Sequence, residues 1–264
     1  MNCAGFQALK NKLDELAAQY NVPSFADNDP VQFPRRYADK RDIEISALLT
    51  STIAWGRRSM ILADADKLHD LLCGEPLRFV LDGDIDAIGE GNIHRTFFGR
   101  HLRYFLRGLR ELYNRYGSLE DFAVAVGAQV SEAPAWTLAG NINAVLCGAN
   151  SKCPMNGPSR CLPDKPDKSA LKRLNMALRW LVRRDGIVDI GCWEALRPSQ
   201  LFIPLDVHSG NTSRALGLLT RRQNDRKAVE ELTEALRSFN PEDPTIYDFA
   251  LFGAGEAGEE LSQM

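Results

Sequence analysis

Apolar residues recur at helical spacing along most of the chain, and no run alternates apolar and polar residues for long enough to predict a sheet. Pro, Gly and Asn residues separate the periodic segments. The pattern therefore predicts an all-α protein. The predicted helical segments are 5–20, a long apolar helix capped by Asp42 or a neighbour, 60–73, 76–80, 94–116, pieces of 117–150, 221–239 and 246–252.

The most informative stretch is 168–219, which follows a loop at 149–167 rich in Pro, Asn, Ser and Gly. Its first helix has an apolar face and ends near Gly186. The apolar face consists of Leu171, Leu174, Leu178, Leu181 and Val182. Cations are predicted along one flank of that face: Lys168, Lys172, Arg179 and Arg183.

The second helix of this stretch begins at Pro204-Leu205-Asp206 and ends near Gly217. Asp is a favoured N-cap residue, because its carboxylate accepts a hydrogen bond from an unpaired backbone N–H of the first turn. Asp206 is therefore predicted to cap this helix. From position alone, capping is a sufficient reason for an Asp here.

Two longer patterns connect this stretch to known families. Pro204-Leu-Asp206-Val-His208, followed by Arg214-Ala-Leu216-Gly217-Leu218, resembles the P-V-D-T-H…R…R-L-G-L segment of helix-hairpin-helix DNA glycosylases of the endonuclease III type. The chain from about 28 to 255, including KRLNMALRWLVR and YDFALFGAGE, resembles an uncharacterised bacterial family, DUF2400. The glycosylase resemblance implies one domain over 1–264, built as two helical lobes with a cleft between them.

The resemblance also implies the chemistry, because the matching Asp is catalytic in that superfamily and bifunctional members carry a nucleophilic Lys upstream. Asp206 matches the Asp. Lys172 is chosen as the Lys, 34 residues upstream (206 − 172), with Lys168 as the alternative. This separation is similar to that of the archaeal 8-oxoguanine glycosylases. No glycine-rich hairpin precedes Asp206, and His208 is interpreted as structural.

Base excision requires three kinds of groups. A carboxylate near C1′ stabilises the positive charge that develops on the sugar, and a neutral Lys attacks C1′. The base must first leave the stack, and aromatic side chains hold it there. The base-stacking candidates are Trp55 and Trp180, with Trp193 as a third, and burial in the core is the alternative for each.

A stripe of arginines is predicted on the helix at 94–116, because their spacing of three, four and three places them on one face. The stripe consists of Arg100, Arg103, Arg107 and Arg110. One interpretation is contact with DNA phosphates, to which Lys168, Arg179 and Arg183 would add. The other is intramolecular pairing with acidic segments such as 82–86.

Composition restricts the remaining choices. The net charge of −3 and the isoelectric point near 5.9 do not by themselves indicate a nucleic-acid-binding protein. The six cysteines form no C-x-x-C pair and none follows Cys192, so we expect no iron–sulfur cluster, zinc or other cofactor. Cys147, Cys153 and Cys161 are the only group that suggests a metal, at an unusual spacing. The absence of a secretory signal or membrane span predicts a cytoplasmic protein.

These observations leave three hypotheses. The first is a monomeric DNA glycosylase that acts on a damaged or modified base in duplex DNA, with or without Lys-dependent lyase activity. The second is a nucleic-acid-binding protein that keeps the fold without base excision. The third is an all-α interaction protein without a nucleic-acid partner, which the acidic isoelectric point allows.

Overall fold

The computed structural model describes residues 3–152 and 161–257, which fold mainly into α-helices. The helices are α1 Cys3–Tyr20, α2 Pro23–Asp27, α3 Lys40–Ile53, α4 Arg58–Leu71, α5 Pro76–Asp82, α6 Gly99–Tyr116, α7 Leu119–Ala125, α8 Pro134–Ala149, α9 Lys172–Val182, α10 Val207–Ala215, α11 Arg226–Arg237 and α12 Tyr247–Ala257. The prediction of a helical protein is confirmed for these residues.

Helix α3 lies at the centre of the fold. Every residue from Ile43 to Ile53 is buried, and α3 packs against α9. Helix α6 packs against α8, while α1 and α10 both pack against α12. The buried apolar side chains of these helices belong to one cluster. The prediction of two lobes remains a prediction.

Short polar residues begin several of the helices. Asp39, rather than Asp42, caps α3 by accepting a hydrogen bond from the backbone N–H of Arg41. Asp42 accepts from the backbone N–H of Leu77 at 2.7 Å and so links α3 to the start of α5. The local sequence therefore sets the start of α3, and the neighbouring carboxylate holds a second helix.

A small β-hairpin precedes α6, so the prediction of a helix from 94 is wrong at its start. Strands β1 Asn92–His94 and β2 Phe97–Phe98 pair in antiparallel fashion. Helix α6 starts only at Gly99, whose backbone lies against the carbonyl of Gly89 so closely that a side chain would collide with it. Residues 94–98 belong to the hairpin and not to the helix. Such tertiary contacts cannot be predicted from the spacing of apolar residues.

A buried carboxylate joins four parts of the fold. Glu44 on α3 is fully buried and accepts hydrogen bonds from the Tyr113 hydroxyl at 2.9 Å and the Trp193 Nε1 at 2.8 Å. It also accepts from the backbone N–H groups of Leu119 at 2.9 Å and Glu120 at 3.0 Å. Burial raises the pKa of Glu44, and the hydrogen bonds from Leu119, Tyr113 and Glu120 oppose the rise.

The connector from 183 to 206 covers the end of α9. Backbone N–H groups of Ile190 and Trp193 donate to the carbonyls of Trp180 and Leu181, which satisfies acceptors that the helix end leaves unpaired. The only regular element between α9 and α10 is a short 3-10 helix, Pro198–Gln200. The connector therefore contains no helical hairpin before Asp206, as its sequence predicts.

No helix among the described residues is both long enough and apolar enough to span a membrane.

Candidate active site

A pocket of about 640 Å³ lies where α9, α10 and α12 meet the turn between α3 and α4. Its volume is within the range of about 300–1,000 Å³ that is usual for small-molecule sites. The polar side chains of Lys172, Arg173, Asp206 and Asp248 line it together with the aromatic rings of Trp55 and Phe252.

Lys172 and Asp206 meet in this pocket. The Lys172 Nζ lies 3.1 Å from the Asp206 Oδ2. Each residue lies at the start of a helix: Lys172 is the first residue of α9, and Asp206 is the N-cap of α10. The residue before Lys172, Leu171, has a left-handed φ of 48°. The structure thus brings together two residues that are 34 positions apart (206 − 172).

Asp206 uses its two carboxylate oxygens for different contacts. Its Oδ1 accepts from the backbone N–H of Ser209 at 2.9 Å and from the Ser209 hydroxyl at 3.1 Å. Its Oδ2 faces Lys172. The prediction that Asp206 caps the helix is confirmed, and the cap leaves one oxygen for the pocket.

The protonation of Asp206 is controlled by opposing effects. Burial raises the pKa of Asp206, but the Lys172 ammonium and the Ser209 hydrogen bonds outweigh burial, so the pKa lies below its ordinary value. A depressed pKa in the folded state stabilises the protein above the unfolded-state pKa of about 3.9, and the stabilisation is lost as pH falls through the folded-state pKa. Asp206 therefore remains a carboxylate at neutral pH.

Trp55 forms an aromatic wall that neighbouring groups hold in place. The Arg173 guanidinium lies 5.2 Å from the Trp55 ring centroid and donates to the Thr52 carbonyl at 2.5 Å. The ring of His94 packs edge-on against Trp55 at 4.7 Å. Trp55 is half-buried and lines the pocket, so its ring is accessible to a ligand that enters the pocket.

The other two base-stacking candidates are buried away from the pocket. Trp180 and Trp193 are both fully buried and neither lines the pocket. The prediction that Trp180 stacks on a base is wrong, because α9 is enclosed on nearly all sides by the fold. The alternative, burial in the core, is the outcome for both residues.

Arg179 and Arg183 are buried in an ion-pair network. The Arg179 Nε lies 3.2 Å from Asp189 Oδ1, and Arg183 Nε lies 2.9 Å from Asp243 Oδ2. Their exposed fractions are 4% and 2%. The prediction that they bind DNA phosphates is wrong, because their guanidiniums are already paired inside the protein.

Lys168 does not belong to α9. It ends a separate 3-10 helix, Pro166–Lys168, because the left-handed Leu171 separates it from α9. Its side chain is exposed and does not line the pocket. The prediction of a continuous cationic flank is therefore wrong, because Lys168 lies outside α9 and Arg179 and Arg183 are buried. Of the two lysines, only Lys172 lines the pocket.

The four arginines of α6 bind the segment at 80–90. Arg110 donates to the carbonyls of Val80 at 2.6 Å and Gly83 at 2.5 Å, and Arg107 pairs with Asp86. The remaining contacts are Arg103 with the carbonyl of Ile88 and with Glu90, and Arg100 with Glu90. None of the four lines the pocket. These contacts match the intramolecular interpretation and do not support phosphate contact by the stripe.

The described residues contain no group of three or more His, Cys, Asp or Glu side chains that could hold a metal ion. Cys147 is exposed and Cys161 is buried, with its Sγ 3.6 Å from the carbonyl of His101. Cys153, the third cysteine of the suggested group, lies outside the described residues.

A family model described as "Protein of unknown function (DUF2400)" matches residues 29–257. The chain belongs to the DUF2400 family. All the pocket-lining residues except Phe25 fall within the matched region. No curated protein and no solved structure matches the chain significantly.

The DUF2400 pocket is lined by two further carboxylates that sequence reasoning missed, Asp29 and Asp248. Asp248 on α12 lines the pocket and pairs with Arg179. Burial and the nearby carboxylates raise the pKa of Asp248 to about 6, although Arg179 and Lys172 oppose the rise. The available signal was an acidic residue within the apolar segment 246–252, because an acid in a buried helix indicates a functional or paired position.

Three further pocket residues were also missed. His208 was interpreted as structural, but its side chain is exposed and lines the pocket. Asn224 donates to the Asp206 carbonyl at 2.7 Å and accepts from Arg214 at 2.6 Å. Phe252 lies four residues after Asp248 on the same helix and therefore faces the same side. No local pattern distinguishes Asn224 from any other loop residue.

We expect Asp248 to change the pH dependence of stability. Its folded-state pKa of about 6 exceeds the unfolded value of about 3.9, so between these values the folded state binds the extra proton. Its contribution to the free energy of unfolding therefore rises as pH falls through about 6. Urea unfolding of wild type and Asp248→Asn should be compared at a pH above and a pH below this value. On acidification the variant should lose more stability, or gain less, than wild type; equal changes would contradict the expectation.

Proposed function

We propose that this DUF2400 protein is a DNA glycosylase that excises a damaged or modified base, with Lys172 as the nucleophile and Asp206 as the charge-stabilising carboxylate. The observation that supports this most strongly is the 3.1 Å contact between the Lys172 amine and the Asp206 carboxylate inside the pocket. The pocket has the size for a small ligand and an aromatic wall at Trp55, which suits a base that has left the stack.

The proposed reaction begins with loss of a proton from Lys172. Asp206 is the nearest group that can accept this proton, because its Oδ2 lies 3.1 Å from the Lys172 Nζ. As the glycosidic bond lengthens, Asp206 stabilises the positive charge on the sugar. Nζ then bonds to C1′, the base leaves with the bonding electron pair and takes up a proton, and opening of the sugar ring gives a Schiff base.

The elimination step follows from the Schiff base. Loss of a proton from C2′ allows the bond from C3′ to its phosphate oxygen to break, which cleaves the strand. Water then releases Lys172 from the sugar. This sequence gives the lyase activity without a cofactor.

Trapping with borohydride tests this function. Reduction converts the Schiff base into a stable amine, so wild type should become covalently attached to an oligonucleotide duplex containing an abasic site or an oxidised purine. Lys172→Gln should abolish the covalent product and stay folded, because the side chain is partly exposed. Denaturing gel electrophoresis measures the product.

Lys168→Gln is the matched control. Lys168 is close in sequence but exposed and outside the pocket, so its replacement should leave trapping unchanged. Loss of trapping in Lys168→Gln but not in Lys172→Gln would show that the nucleophile is wrongly chosen.

The second candidate function is nucleic-acid binding without base excision. The connector between α9 and α10 favours it, because it contains only one short 3-10 helix where the resembling glycosylases have a DNA-binding hairpin. Absence of trapping across a broad panel of lesions, with duplex binding retained, would select this function. Absence of duplex binding even at low salt would leave an all-α interaction protein.

A further inference from the structure

The turn of the β1–β2 hairpin carries an arginine in an unfavourable backbone conformation. Arg95 and Thr96 form the two-residue connection between the strands, and Arg95 has a φ of 48°. Two-residue hairpin turns with positive φ favour glycine, asparagine or aspartate, because a larger side chain is strained there. Strained residues of this kind cluster at functional sites. The identity of residue 95 therefore requires an explanation other than the turn itself.

The hairpin is attached to the rim of the pocket. The His94 ring lies between two acceptors, with Nδ1 2.8 Å from Asp64 Oδ2 and Nε2 2.8 Å from the Trp55 carbonyl. The next side chain, Arg95, lies across Gly56 so closely that a Cβ on Gly56 would collide with its guanidinium. Both Trp55 and Gly56 line the pocket. His94 thus fixes the hairpin, and Arg95 extends over the pocket rim.

Two arginines that contact or directly follow the rim residue Gly56 have no side-chain partner within the described parts of the chain. Arg95 and Arg57 are exposed, and neither forms an ion pair or a side-chain hydrogen bond with a residue in 3–152 or 161–257. By contrast, Arg100 and Arg103, just after the hairpin, share Glu90. Arg95 contacts Gly56, and Arg57 is the residue after Gly56 in the chain, so two cations without an ion-pair partner among the described residues belong to this part of the rim and favour an anionic ligand there.

We infer that Arg95 and Arg57 bind phosphate groups of a nucleic-acid strand directly beside the nucleotide that enters the pocket. This inference rests on the proposed function. Guanidinium groups bind phosphate oxygens through paired N–H donors. A nucleotide whose base lies against Trp55 has its own phosphates one backbone unit away, at the rim that these arginines flank. Holding those phosphates positions the nucleotide that is extruded from the duplex.

Arg95→Gly separates a phosphate contact from a structural role. Glycine adopts a φ of 48° without strain, so the variant should be at least as stable as wild type. The probe is a fluorescein-labelled duplex with a central tetrahydrofuran residue, an abasic analogue that cannot react, and anisotropy gives the affinity at several KCl concentrations. Arg95→Gly should bind about three- to tenfold more weakly, and the slope of log affinity against log salt should fall by about one.

Four further variants test whether the effect comes from a phosphate contact at this site. Arg57→Gln should have a similar effect, and the double variant should lose about two units of the salt slope. Arg95→Lys should keep the slope because it keeps the charge. Arg115→Gln removes an equal charge at the far end of α6, roughly 24 Å along the helix axis from Gly99, and should change neither affinity nor slope.

The trapping assay distinguishes binding from chemistry. On an abasic duplex, Arg95→Gly should need more protein than wild type to reach half of its own maximal trapping rate, because its affinity for the duplex is lower. If wild type binds the duplex and Arg95→Gly binds equally well with the same salt slope, the inference is overturned while the proposed function stands. If wild type does not bind the duplex even at low salt, both are overturned. Arg95→Asn, which also tolerates positive φ, is a second variant for the same comparison.

Discussion

Asp206→Asn should leave a folded protein whose rate of base excision is lower by roughly 10²–10⁴-fold. Asn caps helices about as well as Asp, so the hydrogen bond to the backbone N–H of Ser209 should survive. The change removes the negative charge that faces Lys172, and with it both the base and the stabilisation of the charged sugar. Single-turnover trapping on the duplex that wild type cleaves measures the rate, and thermal unfolding measures stability.

Asp225→Asn is the matched control, because Asp225 also caps a helix and forms an ion pair but lies outside the pocket. It caps α11 through the backbone N–H of Ala228 at 3.2 Å and pairs with Arg221 at 2.5 Å. Both substitutions should cost about 1–2 kcal/mol or less in the free energy of unfolding, and only Asp206→Asn should lose excision. An Asp206→Asn protein that is stable and as fast as wild type would show that Asp206 is only a helix cap.

Glu44→Ala should produce the largest loss of stability. The substitution leaves four buried donors without an acceptor: the Tyr113 hydroxyl, Trp193 Nε1 and the backbone N–H groups of Leu119 and Glu120. Each unsatisfied buried group costs about 1–3 kcal/mol, so the total should be about 4 kcal/mol or more. Since domains of this kind are stable by about 5–15 kcal/mol, the variant should be largely unfolded or barely stable. Urea unfolding gives the free energy.

If Glu44→Ala does not fold, a milder substitution at the same position and a control at an exposed glutamate still test this prediction. Glu44→Gln retains one accepting oxygen but turns an amide toward the remaining donors, so it should lose about 2 kcal/mol and still fold. Glu111→Ala removes an exposed glutamate from α6 and should change stability by no more than about 0.5 kcal/mol. A Glu44→Ala protein within about 1 kcal/mol of wild type would contradict the role assigned to this carboxylate.

Local pattern was sufficient for several features. Helical periodicity predicted α1, α3, α9 and α11, because burial of one face leaves a 3.6-residue repeat in the sequence. Asp206 was predicted as an N-cap because its hydrogen-bond partner is only three residues away. The pairing of Lys172 with Asp206 was reached through the resemblance of a motif, and the structure places the two atoms 3.1 Å apart. Its catalytic meaning remains a prediction.

The same periodicity failed where a helix is enclosed. Residues Ala177 to Val182 of α9 are all buried. Arg179, which was predicted to bind phosphate, and Trp180, which was predicted to stack on a base, are therefore both enclosed in the protein. An amphipathic pattern assumes a solvent-facing side. The second half of α9 lacks such a side because α3, the connector after Arg183 and the residues of α12 surround it.

The sequence by itself determined the helical class, most helix positions and the cap at Asp206, since each depends on contacts within a few residues. Only the tertiary structure decided which charges meet which partners. Arg107 pairs with Asp86, which is 21 residues away in the sequence, and Arg179 pairs with Asp248, which is 69 residues away. Glu44 accepts a hydrogen bond from Trp193, which is 149 residues away. The physical reason is that ion pairs and buried hydrogen bonds depend on proximity in space, and a charged residue carries no local mark of the distant residue that folding brings to it.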